Sequence, residues 1–235
     1  MSASDIVTQL RSLGREPYKK VLLNHGVAEP VLGVKVEDLK KIQKRVKKDY
    51  ALSLELYDTG IYDAQYLAGL IADETKVTPK DLRRWLAKAN SAVACGNIVA
   101  TVAADSPHGW ALAREWIDSP DERTAQTGWT ALAAVVSVKD DADLDVPELK
   151  RLIQRGGKTI HDQPNRVRYA MNSFVISVGC YAKALTDLAI ETGEAMGNVS
   201  VDMGNTECRV PDAPSYIRKV MKRGTVGKKR KTSRC

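Results

Sequence analysis

The densest chemistry in the chain is cationic. Residues 35–48 carry Lys35, Lys40, Lys41, Lys44, Arg45, Lys47 and Lys48 against only Glu37 and Asp38. Seven cations on so short a segment repel one another unless an anion is near. The segment reads as a phosphate-contacting face with Lys40, Lys41, Lys44, Lys47 and Lys48 as contacts, or as a solvated face only. A second cluster, Lys228, Lys229, Arg230 and Lys231, lies in a glycine-containing tail that is either disordered or laid over the body or a ligand. It reads best as a mobile electrostatic arm that raises on-rate and affinity for a polyanion without specificity. The same run would also serve as a nuclear signal. Arg166 and Arg168 flank a helix start, where side chains and N-terminal amides meet a phosphate together; the alternative is pairing with Asp162 or Asp187.

Little else points to covalent or metal chemistry. Cys95, Cys180, Cys208 and Cys235 form no C-x-x-C pair, and His25, His108 and His161 have no metal-ligand spacing. Free thiols, no metal and no cofactor are expected. Asp63 and Asp105 are the carboxylates best placed for acid chemistry, because both border apolar helix faces; capping or ion pairing is the plainer role for each. Trp85, Trp116 and Trp129 follow apolar stripes and read as core, whereas Trp110, beside Pro107 and His108, is the tryptophan most open to solvent and a base-stacking candidate.

The net charge of +7 is unevenly held. Nine of the 36 Lys and Arg lie in Ser215–Cys235, which has no acid, leaving 27 cations against 29 acids in residues 1–214, a net of −2. Any anion-binding surface on the body therefore depends on segregated charge. No run of about 18 apolar residues is present, and the N-terminus lacks the pattern of a signal peptide. A cytoplasmic protein that engages no membrane is expected.

Helical periodicity must position these groups. Ile6, Leu10 and Leu13 form one stripe, Pro17 opens a second helix, and Val36, Leu39, Ile42 and Val46 mark a helix over 35–48. Helices follow over 50–58 and 62–72, with a break at Gly60. Thr78-Pro79-Lys80-Asp81 is a cap with proline at the first helical position. Segments 91–104, 107–117 and 120–136 continue the pattern, with Ser106-Pro107 and Ser119-Pro120 as further starts. A helix from Val146-Pro147 ends at Gly156-Gly157, and 164–180, 182–196 and 212–223 complete the set. Residues 199–210 read as a small hairpin or an extended loop. The expected fold is all-α: about a dozen helices in a curved α-α superhelix, a HEAT-like solenoid. It comprises a helical domain over 1–223 and a basic tail over 224–235. An irregular bundle fits the same periodicity.

Four segments, in order, resemble AlkD-type DNA alkylation repair proteins. Gly33-Val34 with Leu39-Lys40-Lys41-Ile42-Gln43-Lys44 is similar to their G-V-x-x-x-x-L-R-K-I-A-K run. Tyr62 to Ala68 resembles the next helix, Glu122-Arg123-Thr124-Ala125 a later R-x-A helix, and Arg166 to Asn172 the place of their K-A-I-G-W helix. The resemblance spans residues 15–195. It implies HEAT-like helical pairs whose concave basic face contacts the DNA backbone, and excision of N3- and N7-alkylated purines. In that family a groove aspartate, two tryptophans and an arginine hold the lesion, the carboxylate stabilising oxocarbenium charge.

Here the chemical positions depart from the pattern. The family's W-D-x-V-D run falls on Gly96-Asn97-Ile98-Val99-Ala100, without Trp or Asp. Near the last aromatic of the family stand Ser173 and Phe174, of which Phe174 is a substitute stacking surface; Arg123 stands at the arginine position. Three readings follow: a protein that binds duplex or damaged DNA through its backbone, an α-solenoid scaffold for a protein or peptide, and an alkylpurine DNA glycosylase with a relocated carboxylate.

Overall fold

A computed structural model describes residues 1–234. Its secondary structure is helical throughout; among the described residues there is no strand. Side-chain caps fix several of the helix starts. In α1 (Ala3–Leu13) the Ser2 hydroxyl accepts from the Asp5 N–H and the Asp5 carboxylate accepts from the Ser2 N–H, a reciprocal box that satisfies two otherwise orphaned donors. After α2 (Glu16–Asn24) come α3 (Val36–Val46) and α4 (Tyr50–Asp58), the latter capped by Asp49, whose carboxylate accepts from Leu52 N–H at 3.0 Å. All ten residues of α5 (Tyr62–Ile71) are buried. α6 (Pro79–Lys88) begins at the Thr78/Asp81 box that the sequence indicates.

Residues 92–105 are one helical run with a fault in it: α7 (Ala92–Ala94), a π-turn over Cys95–Val99, and α8 (Ala100–Asp105). Then follow α9 (Gly109–Trp116), α10 (Glu122–Val138), α11 (Val146–Thr159), α12 (Asn165–Tyr181), α13 (Thr186–Met196) and α14 (Ala213–Lys222).

The chain divides into two compact units. The first comprises residues 1–108, 203–207 and Arg234. Its core is α5, against which α3 and α4 pack. Ile6, Leu10, Leu39, Ile42, Leu56, Leu67 and Leu82 are fully buried there. Tyr57 and Trp85 stack face to face, with centroids 4.2 Å apart and planes 2° off parallel, and the Tyr57 hydroxyl donates to the Trp85 carbonyl at 2.9 Å. The second unit comprises residues 109–202 and 208–233. There α12 is central, packed by α10, α13 and α14. Trp129 and Phe174 meet at 5.3 Å with a tilt of 59°, the edge-to-face geometry that aromatic quadrupoles favour.

Three boundaries differ from the sequence reading. The cap of α10 is Asp121, not Ser119: the Asp121 carboxylate accepts from Thr124 N–H at 2.9 Å, and Ser119 only steadies the approach by accepting from Asp121 N–H. Ser106 likewise accepts from His108 N–H, and α9 starts later, at Gly109. Nor does α11 stop at Gly156-Gly157; it runs to Thr159, with Gly156 buried in ordinary contact with Val175 and Met171 and Gly157 closely approached by Thr192. Residues 199–210 take the extended form, with one tight turn closed by Thr206 N–H on the Gly204 carbonyl at 2.8 Å.

Candidate nucleic-acid interface

α3 forms because Leu39 and Ile42 fall on one face and are buried, which forces its lysines outward. The one buried acid on the helix is Asp38. It accepts from Lys41 at 2.7 Å and from Arg15 at 3.2 Å, and the Lys41 ammonium above all holds its carboxyl below the usual range. Lys48 is hydrogen-bonded to Glu74, Lys35 lies 3.8 Å from Glu37, and Arg45 donates to Gln9 at 2.8 Å. Lys40, Lys44 and Lys47 are exposed, and their side chains have no hydrogen-bond or ion-pair partner among the described residues. The face is thus segregated: Asp38 is neutralised close to the backbone, Glu37 stands exposed beside Lys35, and the ammonium groups of Lys40, Lys44 and Lys47, at spacings of four and three, have no partner among the described residues.

In the second unit Arg123 is exposed on the first turn of α10. Arg166 and Arg168 are half-buried in the first turn of α12, and neither forms an ion pair with Asp162 or Asp187. The Arg166 amide is already answered by the Glu122 carboxylate at 2.7 Å, so an acid of this chain stands where a phosphate was expected. Arg168 reaches Asn165 at 3.4 Å. Trp110 is half-buried, the least enclosed of the four tryptophans. Phe174 is fully buried against Trp129, with no ring face open to a base.

The tail is laid down rather than free. Gly227 N–H donates to the Cys180 carbonyl at 2.9 Å, and Arg230 N–H to the Ser137 carbonyl at 2.8 Å. The Lys229 ammonium is committed to Asp141 at 2.8 Å and the Val136 carbonyl at 3.0 Å. Lys228, Arg230 and Lys231 keep exposed side chains. Arg234 belongs to the first unit, where it donates to Asp105 at 2.8 Å, Glu74 at 2.7 Å, and the carbonyls of Ala72 at 2.8 Å and Gly69 at 3.2 Å. Sequence alone did not single out Arg234: its basic neighbours mask it, and its partners lie over a hundred residues away.

Both candidate carboxylates have structural work. Asp63 accepts from Leu32 N–H at 2.6 Å and Val34 N–H at 2.7 Å, fixing the loop that leads into α3. Burial pushes its carboxyl up, and the backbone donors of that loop pull against the shift. Asp105 is held by Arg234. The stretch on which the W-D-x-V-D run falls covers most of the π-turn and the first residue of α8, where only Asn97 is exposed and Gly96, Ile98, Val99 and Ala100 are buried. Cys95 and Cys180 are buried free thiols and Cys208 an exposed one. Among the described residues no cluster of His, Cys, Asp or Glu would hold a metal ion, and no single helix is long and apolar enough to cross a membrane.

Known proteins resemble the whole chain. It is 33% identical over 223 residues to an uncharacterized protein of Listeria innocua, covering 92% of this chain and 96% of that protein. It is 32% identical to a counterpart in Listeria monocytogenes with the same coverage. A solved structure matches with a TM-score of 0.92 and 32% identity over 100% of both chains; it represents a family described as related to the HEAT-like repeat DNA glycosylases, with affinity for branched DNA structures. That match and the all-helical structure make the fold HEAT-like. Residues 6–215 fit the family model for DNA alkylation repair enzymes, and the chain belongs to that family.

Proposed function

We propose that this protein binds DNA through phosphate contacts, preferring branched over plain duplex DNA, with the strip Lys40, Lys44 and Lys47 as its principal contact on the first unit. The observation that carries the reading is that strip: three exposed ammonium groups without an ion-pair partner among the described residues, along α3 and its C-cap, where the buried acid Asp38 is already paired with Lys41 and Arg15. Like charges at helical spacing are unfavourable in isolation, and a phosphate backbone relieves them while releasing its own condensed cations. The affinity for branched DNA described for the structural relative supplies the partner. Lys228, Arg230, Lys231 and Arg123 are further contacts on the second unit. Such contacts fix position rather than sequence, which suits a protein that reads DNA shape.

The proposal is of binding and stops short of base excision. Asp63 and Asp105, the carboxylates that could serve a glycosidic reaction, are engaged by backbone amides and by Arg234. The test is a fluorescence-anisotropy titration of wild type and Lys40→Glu/Lys44→Glu on a four-way junction and on duplex, with and without methylated purines, across a salt series. The double variant is expected to lose affinity on every substrate, with a log–log salt dependence shallower by about two units, close to 0.9 per lost phosphate contact. Unchanged affinity and slope would remove α3 from the interface. Release of methylated bases by the wild type would add excision to binding.

A further inference from the structure

The end of α3 contains a backbone conformation that its residue does not suit. Lys47 has φ 63° and ψ −148°, the only positive φ at a non-glycine among the described residues. In this region a Cβ crowds the chain's own carbonyl, and it is occupied almost solely by glycine. The same turn follows α13, with φ 60° and ψ −143°, and there the residue is Gly197. Packing holds the Lys47 torsions from both sides. Its N–H closes the helix on the Gln43 carbonyl at 2.7 Å, and two residues later Asp49 donates to the Ile71 carbonyl at 2.8 Å while capping α4. The turn itself calls for glycine.

The lysine needs another explanation than folding. The helix dipole favours a cation at this end, but Lys44 and Arg45 already occupy the last turn. Lys47 pairs with nothing among the described residues, so the strain is not repaid by an ion pair. It continues the uncompensated strip from Lys40 and Lys44, and beside it Lys48 is turned away to Glu74. We infer that Lys47 is a DNA-phosphate contact retained at a glycine position, at the expense of stability, because the left-handed turn presents its ammonium beyond the end of the helix. This inference rests on the DNA-binding reading above and names one of its contacts.

The experiment pairs Lys47→Gly, which removes charge and strain, with Lys47→Ala, which removes charge and keeps the strain. Each full-length variant is measured for melting temperature and for affinity to a four-way junction across a salt series. Lys47→Gly is expected to melt about 2–4 °C higher than wild type, and Lys47→Ala to show no such gain. Both are expected to bind about five- to tenfold more weakly near 0.1 M salt, with a salt slope shallower by about 0.9. If Lys47→Gly keeps wild-type affinity and slope, or fails to gain stability, this inference is overturned while DNA binding by the wild type stands. If the wild type shows no salt-dependent binding, the underlying reading fails and the inference with it.

Discussion

Arg234 and Asp105 stand 129 residues apart in sequence and are joined through Nε and Oδ2 at 2.8 Å, both side chains largely withdrawn from water. The same guanidinium also reaches Glu74 and the carbonyls of Gly69 and Ala72, so it closes the C-terminal end of α5 as a side-chain cap. A planar group with five donors suits such a socket; a lysine would leave carbonyls unmet.

Removing that guanidinium should be expensive. Arg234→Ala takes away the cation facing Asp105 and Glu74 and unpairs two carbonyls, and should destabilise the fold by about 3 kcal/mol. Arg234→Lys should recover only part of this. Urea unfolding followed by circular dichroism measures both; equal stability of the alanine variant and wild type would show that the socket contributes nothing.

The socket also gives the acid limb of stability its sign. Burial works to raise the Glu74 carboxyl, but hydrogen bonds from Lys48 and Arg234 outweigh it and hold the group below its ordinary value of 4.5. A carboxyl depressed in the folded state contributes stability above its unfolded pKa, and that contribution is lost as pH falls through the folded value. Asp81, whose burial is outweighed by hydrogen bonds from Thr78 and Tyr50, acts in the same sense. Unfolding midpoints should therefore drop as pH falls below about 4.5. Arg234→Gln should show a shallower drop over that window, since one of the interactions lowering Glu74 is gone.

Asp63 provides a contrasting case. Both its oxygens accept backbone N–H groups from the loop before α3. In Asp63→Asn, one of these sites becomes an amide N–H₂ pointing at another donor. A loss of about 2 kcal/mol is expected, with any change in DNA binding following from the displaced α3. If the variant unfolds at the wild-type urea concentration, the clamp is not the residue's role.

Helix crossings supply a sharper comparison. A Cβ at Gly128 would lie 2.6 Å from Ile117 N and 2.8 Å from the Ala113 carbonyl oxygen, both backbone atoms that cannot step aside. One at Gly157 would meet the Thr192 methyl at 2.7 Å, the end of a side chain. Gly128→Ala should cost about 2–3 kcal/mol. Gly157→Ala should be close to neutral, because the gain in helix propensity, about 1 kcal/mol, offsets the repacking. Thermal melts of the two variants decide it; the reverse order would contradict the packing described for α9 and α10.

These residues show which features the sequence discloses. Thr78-Pro79-Lys80-Asp81 is readable because its cap is complete within four residues, and the buried face of α3 is readable because apolar spacing is local. Ser119-Pro120 misled because Asp121, one residue further on, competes for the same amides and accepts them with a charged oxygen. Gly156-Gly157 resembles a helix stop, yet the helix continues through it and Gly157 meets Thr192 closely, a tertiary fact with no local mark. At the candidate site, the lysine strip is visible as composition, but which lysines are uncompensated depends on partners such as Asp38 and Glu74. The strained turn at Lys47 and the socket of Arg234 are set by distant contacts. The buried state of Phe174 follows from Trp129, forty-odd residues earlier in the chain.

The central claim is that this member of the DNA alkylation repair family holds branched DNA by its phosphates. The most direct test is an equilibrium titration of the full chain against a four-way junction and a duplex of the same sequence, repeated from about 50 to 200 mM salt. The account predicts tighter binding to the junction, and affinity for both falling linearly on a log–log plot as salt rises. Absence of binding at the lowest salt, or binding insensitive to salt, would contradict it.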